Sequence, residues 1–250
     1  MTNKWLKVAL MAAAIATGTS IKIDAETVLY VPQDNRPVSL QYTVDTAREA
    51  GMTILTPPQN LISGKNYQGQ ADQIMAWVEQ NAGRADVMVL STDTLIYGGL
   101  VDSRKHNIPL STLESRLKRI ESLKARNKKV RIYGFGTVMR SPRASGGGTE
   151  PAYYAEYGPT IFQIAALQDK LDSGSLTQEE TQKLMSLQAS VPVEYLQDWF
   201  DRRQKNMKIN KELIDETRSG VFDYFALGHD DTSQLSQSAL EGRYLNQYSK

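Results

Sequence analysis

The sequence predicts an α/β protein in which a parallel sheet carries flanking helices. Three observations predict it. Short apolar, β-branched runs alternate with stretches of helical periodicity along most of the 250 residues. The runs are almost continuously apolar, as in Val87-Met88-Val89-Leu90, which suits strands buried on both faces. Each run also ends in a polar or charged tip, and folds of this class bind ligands beyond the carboxyl ends of their strands. Five such strands fit an open doubly wound sheet or a partial TIM-like (β/α) barrel, and the pattern alone leaves both open.

Thr27 to Val31 reads as the first strand, with Gln33-Asp34-Asn35-Arg36-Pro37 as its tip. Ser39 can cap a helix whose Leu40, Val44 and Ala47 share a face, and Gly51 stops it. Met52 to Thr56 is a second strand, ended by Pro57-Pro58. A helix over about Gln70 to Ala82 follows, with Ile74, Trp77 and Val78 inward. The third strand begins near Asp86 and stops at the cluster Ser91 to Arg104. Ser111 and Glu114 have capping-box spacing ahead of Leu113, Leu117 and Ile120. Val130 to Phe135 is the fourth strand, followed by an irregular glycine-rich stretch from Ser141 to Tyr157 of the kind that is usually functional or mobile. Residues of about 159–219 form a helical insertion, broken at Ser173-Gly174-Ser175 and Val191-Pro192, with a second capping box at Thr177 and Glu180. Phe222 to Leu227 is the fifth strand, and Ser233 opens a last helix.

Hydrophobic residues at 40% and charged residues at 23% describe an ordinary folded chain, and a net charge of +1 gives no bulk field for nucleic acid or an anionic membrane. Residues 1–25 differ. Lys4 and Lys7 precede an apolar centre from Val8 to Ala16, and the segment closes on Ile23-Asp24-Ala25. That is the pattern of a secretory signal peptide, too short for a stable membrane span, so residues 26–250 form the mature α/β domain and the expected location is secreted or periplasmic. The absence of cysteine removes disulfides, thiol nucleophiles and cysteine metal sites.

The chemistry-bearing residues stand at strand tips. Asp34, Asp93, Asp230 and Asp231 each follow an apolar strand, so a parallel sheet brings several to one rim. Paired carboxylates about 5 to 10 Å apart suit glycoside hydrolysis; the structural alternative is that each caps a helix or fixes a turn. Arg36, Arg104 and Arg140 lie on three of the loops, and the arginine fork favours carboxylate, phosphate or sulfate groups. The alternative is that each arginine orders its loop by pairing with a nearby acid. With two histidines, His106 and His229, no His-rich metal site can be built, and oxygen-only binding of a divalent ion is the remaining metal option. Gly98-Gly99 permits close backbone approach or positive φ but lacks the lysine of a phosphate-binding loop. Arg202-Arg203 with Lys205 and Asn206 reads as a solvated basic helix face whose Arg and Asn can reach over the rim.

Five motifs carry a resemblance: Tyr30-Val31-Pro32-x-Asp34-x-Arg36-Pro37-Val38; Asp93-x-Leu95-x-Tyr97-Gly98-Gly99-Leu100-x-x-Ser103-Arg104; Met139-Arg140; Arg202-Arg203-x-x-Asn206; and Gly228-x-Asp230-Asp231. Together they resemble the bacterial family catalogued as domain of unknown function 4127, from about Thr27 to the end. The resemblance implies kinship without a reaction. It also implies that the family architecture continues beyond this length, with this chain as its N-terminal part.

The expectation is therefore an exported protein with a rim site. Asp93, Asp230, Asp231 and Asp34 are its candidate catalytic residues, and Arg36, Tyr97, Arg104, Arg140, Asn206 and His229 its candidate substrate-binding residues. No metal ligand or cofactor is assigned. The expected partner is a small-molecule or polysaccharide ligand bearing an anionic group. Hydrolysis of a glycosidic bond in an acidic sugar is the leading reading; non-catalytic carbohydrate or anion binding, and metal-assisted phosphoester hydrolysis, are the alternatives.

Overall fold

The structure, a computed structural model, describes residues 25–144, 147–231 and 233–250. Five parallel strands, β1 (Thr27–Val31), β2 (Thr53–Leu55), β3 (Val87–Ser91), β4 (Arg131–Val138) and β5 (Tyr224–His229), pair in the order β2-β1-β3-β4-β5. A barrel pairs its strands in chain order and closes on itself; here β1 lies between β2 and β3, and β2 and β5 are edges. Of the two expected architectures the open doubly wound sheet is therefore the one formed. Strand order reverses between β1 and β3, where Val28 pairs with Val87 and Val31 with Leu90. In open α/β sheets that switch point opens the ligand crevice.

The helices are α1 (Gln41–Glu49), α2 (Ala71–Asn81), α3 (Thr92–Tyr97), α4 (Asp102–Lys105), α5 (Leu110–Arg126), α6 (Tyr154–Asp172), α7 (Gln178–Ala189), α8 (Val193–Arg218) and α9 (Gln237–Tyr248). Alternation along the strands sends Leu29, Val31, Met88, Leu90 and Ile132 to one face. There they meet Ile74 and Val78 of α2, Leu113, Leu117 and Ile120 of α5, and Ile209 and Leu213 of α8. Each such side chain contributes roughly 1.5–3 kcal/mol when fully buried, so this layer fixes the strand tips. On the other face, Val28, Tyr30, Ile54 and Val89 meet Val44 and Ala47 of α1 around an apolar hollow of about 290 Å³. A second core, holding Tyr154, Ile161, Ile164, Leu184 and Trp199, joins α6, α7 and the first half of α8.

Several local expectations shift. Strand β4 runs on to Val138, which pairs with His229, and β5 starts at Tyr224 rather than Phe222. Gly134 leaves room for Phe222 and Phe225, and Gly136 for Thr92. The Ser111 cap does not form: extended Pro109 starts α5 at Leu110, which puts Ser111 inside the helix. Ser39 caps nothing at α1, and Ser236 rather than Ser233 caps α9. The Thr177–Glu180 capping box forms as expected. Among the described residues no helix is long and apolar enough to cross a membrane. The signal-peptide pattern falls, except for Ala25, outside the described residues.

Candidate functional site

The site is built outward from the end of β3. Ser91 caps α3 by accepting the Thr94 N–H at 3.3 Å, which places Thr92, Asp93 and Thr94 in a buried first turn. Thr94 Oγ1 donates to the Pro32 carbonyl at the β1 tip (2.7 Å), and Thr92 Oγ1 to the Phe135 carbonyl of β4 (3.1 Å). Asp93 Oδ2 accepts from Gln33 Nε2 and from Thr137 Oγ1, each at 2.8 Å. One carboxylate oxygen thus ties the tips of three neighbouring strands. Burial pushes the Asp93 carboxyl up to about 6, against the opposing pull of those two bonds and of Arg104.

The loop after α3 is set by backbone contact. Gly98 ends the helix at φ 108°, and Gly69 lies so close that a Cβ there would sit 1.9 Å from the Gly98 carbonyl oxygen. Asp102 accepts the Gly69 N–H at 3.1 Å and locks the two loops together. The glycine pair therefore serves loop docking rather than a phosphate cradle.

These constraints open a cavity of about 390 Å³ beyond the strand ends, lined by Asp34, Arg36, Lys65, Arg104, Arg140 and Asp230 with Asn35, Ser63 and Thr149. Six side chains from five separate stretches of the chain converge there. Arg36 donates to Asp34 from Nε at 2.8 Å. Burial pushes the Asp34 carboxyl up, but the hydrogen bonds from Arg36 and Ser39 outweigh it and hold it below its ordinary value. Arg104 is buried and ion-paired with Asp230, with Glu150 3.9 Å away. Arg140 donates to Glu150 from Nε at 2.7 Å and to Thr149 Oγ1 at 2.7 Å. The acids thus orient the guanidinium groups, and the cavity presents more positive than negative side chains. Among the described residues no three His, Asp or Glu side chains gather as a metal cluster.

The remaining sequence candidates lie elsewhere. Asp93 is 3% exposed and does not line the cavity. Asp231 accepts the N–H groups of Ser141 (3.0 Å) and Ser233 (2.8 Å), so it joins the β4 and β5 tips rather than facing a ligand. His229, one residue before Asp230 on an alternating strand, turns away and packs on Gly242 of α9. Tyr97 is buried with its ring 4.9 Å from that of His106, and its hydroxyl finds no hydrogen-bond partner among the described residues. Asn206 lies inside, donating to the Ser103 carbonyl (2.8 Å) and accepting from His106 Nε2 (2.8 Å). Burial lowers His106 to about 4, so it is neutral at physiological pH, and its Nδ1 is left to accept the Ile108 N–H.

The basic run on α8 is not a solvated face. Arg203 is 1% exposed, bidentate to Glu241 (2.7 Å each) and donating to the carbonyls of Met139 (2.6 Å) and Arg140 (2.9 Å). Arg202 donates to the His106 carbonyl (2.7 Å) and pairs with Asp198. Together with Asn206 they hold α4, which carries Arg104, and the loop that carries Arg140. Their spacing was the available signal: Trp199, Arg202, Arg203, Asn206, Ile209 and Leu213 follow one helical stripe. Sequence reasoning also missed Lys65, Glu150, Gln33 and Thr137, none of which stands in an informative pattern.

These features define a doubly wound α/β protein with a cationic cleft at its strand carboxyl ends. The chain belongs to the family described as Protein of unknown function (DUF4127), whose family model matches residues 28–250. No curated protein and no solved structure matches it.

Three outcomes follow from this geometry. A buried acid with a raised pKa gives stability that is full below the unfolded pKa of about 4 and is lost as pH rises through about 6. Asp93→Asn should therefore be more stable than the wild type at pH 7.5, by on the order of 3 kcal/mol at most, with the gap closing near pH 4 in urea titrations. Arg203→Ala leaves Glu241 buried without its partner and should cost about 3–5 kcal/mol in the same assay. Tyr97→Phe removes an unsatisfied buried hydroxyl and should gain about 1 kcal/mol.

Proposed function

We propose that the protein recognises the acidic group of a small hydroxylated ligand, such as a sugar acid, in the cavity beyond the strand ends. The observation that carries this reading is that Arg36, Lys65, Arg104 and Arg140 share one cavity with Asp34 and Asp230. A simple anion would meet the two carboxylates unfavourably. A sugar acid offers hydroxyl donors to the aspartates and a carboxylate to the arginines. The cavity is also within the size range of small-ligand sites.

Recognition is favoured over cleavage. Glycoside hydrolysis needs a protonated acid beside an ionised carboxylate, both reaching the sugar. Asp34 is held ionised by Arg36, Asp230 is paired with Arg104, and Asp93, whose pKa burial raises, is sealed from the cavity. Action outside the cytoplasm remains part of the proposal, resting on the leader pattern of residues 1–25.

Titration calorimetry with glucuronate and glucose tests the reading. Glucuronate should bind and glucose should not, and Arg36→Ala, a change at a solvent-exposed side chain, should weaken glucuronate about tenfold. Equal affinity for the two sugars, or none for either, would overturn it.

A further inference from the structure

The three arginines of the cavity are already engaged: Arg36 with Asp34, Arg104 with Asp230 and Glu150, and Arg140 with Glu150. Lys65 lines the same cavity, is exposed, and makes no ion pair or hydrogen bond among the described residues. Its position is nonetheless fixed. Gly64 and Tyr67 form an antiparallel bridge, with Gly64 N–H donating to the Tyr67 carbonyl at 3.1 Å, so Lys65 and Asn66 form the tip of a tight turn. The Tyr67 ring lies against Gly64, leaving no room for a side chain there. Asn35, beside Asp34 and Arg36, anchors both arms: its N–H donates to the Ser63 carbonyl (2.9 Å) and its Nδ2 to the Tyr67 hydroxyl (2.6 Å). A stiff turn pinned to the β1 tip thus holds one uncommitted ammonium over the cavity.

We propose that Lys65 makes the charge contact with the ligand and that this cation, unpaired among the described residues, selects a singly charged carboxylate over a phosphate dianion. The assignment rests on the anion-recognition reading above and deepens it. The arginines, shared with Asp34, Asp230 and Glu150, contribute directional hydrogen bonds, whereas the unshared ammonium contributes the neutralising charge. Among the described residues lining the cavity, a second negative charge on the ligand finds no further unpaired cation and lies near Asp34 and Asp230. Asp93, which Arg104 feels from within the protein, adds to the discrimination when ionised.

The test compares glucuronate, glucose 6-phosphate and glucose by calorimetry at pH 7.5, using the full chain as wild type, Lys65→Ala, Lys65→Gln and Lys65→Arg. The Lys65 side chain is exposed and makes no hydrogen bond or ion pair among the described residues, so the variants keep the fold. The wild type should prefer glucuronate to glucose 6-phosphate. Lys65→Ala and Lys65→Gln should each weaken glucuronate about fivefold or more, and Lys65→Arg should retain most of the affinity. Glucuronate binding that is unchanged in Lys65→Ala, or tighter binding of glucose 6-phosphate by the wild type, overturns the role of Lys65 while leaving anion recognition standing. Failure of the wild type to bind glucuronate overturns both.

Discussion

The structure depends on one carboxylate oxygen. Asp93 Oδ2 receives Gln33 from the β1 tip and Thr137 from the β4 tip, while Thr92 and Thr94 bond to the carbonyls of Phe135 and Pro32 beside it. A parallel sheet aligns its strands but does not by itself bring their exits together. This short turn does so, because its side chains satisfy polar groups that the ends of three strands would otherwise leave unpaired in a buried place. The cost is a carboxyl held above its ordinary pKa, an expense of stability common where strand ends are organised for binding.

Two further constraints act on the loops once the strands are fixed. Gly69 against Gly98, locked by Asp102, lays the loop that bears Lys65 onto the loop leading to Arg104. On the far side, α8 reaches in with Arg202, Arg203 and Asn206 and takes the carbonyls of His106, Met139, Arg140 and Ser103. The helical excursion between β4 and β5 therefore acts as a clamp. Its buried arginines hold backbone, which leaves Arg36, Arg104 and Arg140 to face the cavity.

Much of this was legible in the residues themselves. The apolar runs marked all five strands, and the rule that polar groups gather at strand ends placed Asp34, Arg36, Arg104, Arg140 and Asp230 together. What one chain position cannot reveal is which way a side chain turns or what stands opposite it. His229 is the last residue of β5 and packs on Gly242, Asp230 sits in the bend beyond it, and Asp231 is taken up by the N–H groups of Ser141 and Ser233. A basic run on a helix looks solvated until its period is compared with that of Trp199, Ile209 and Leu213 on the same stripe. The resemblance motifs included Arg202, Arg203 and Asn206 without disclosing that their work is interior. Lys65 carried no signal, since a lysine in a glycine-containing loop is unremarkable until the fold folds that loop over the cavity.

The account reduces to the claim that this cavity is a receptor for a single acidic group. A crystal structure of the protein soaked with glucuronate tests that most directly. The account predicts the ligand carboxylate within hydrogen-bonding distance of Lys65 and the guanidinium groups, with sugar hydroxyls turned toward Asp34 and Asp230. Glucuronate ordered at another surface, with this cavity filled only by solvent, would contradict it.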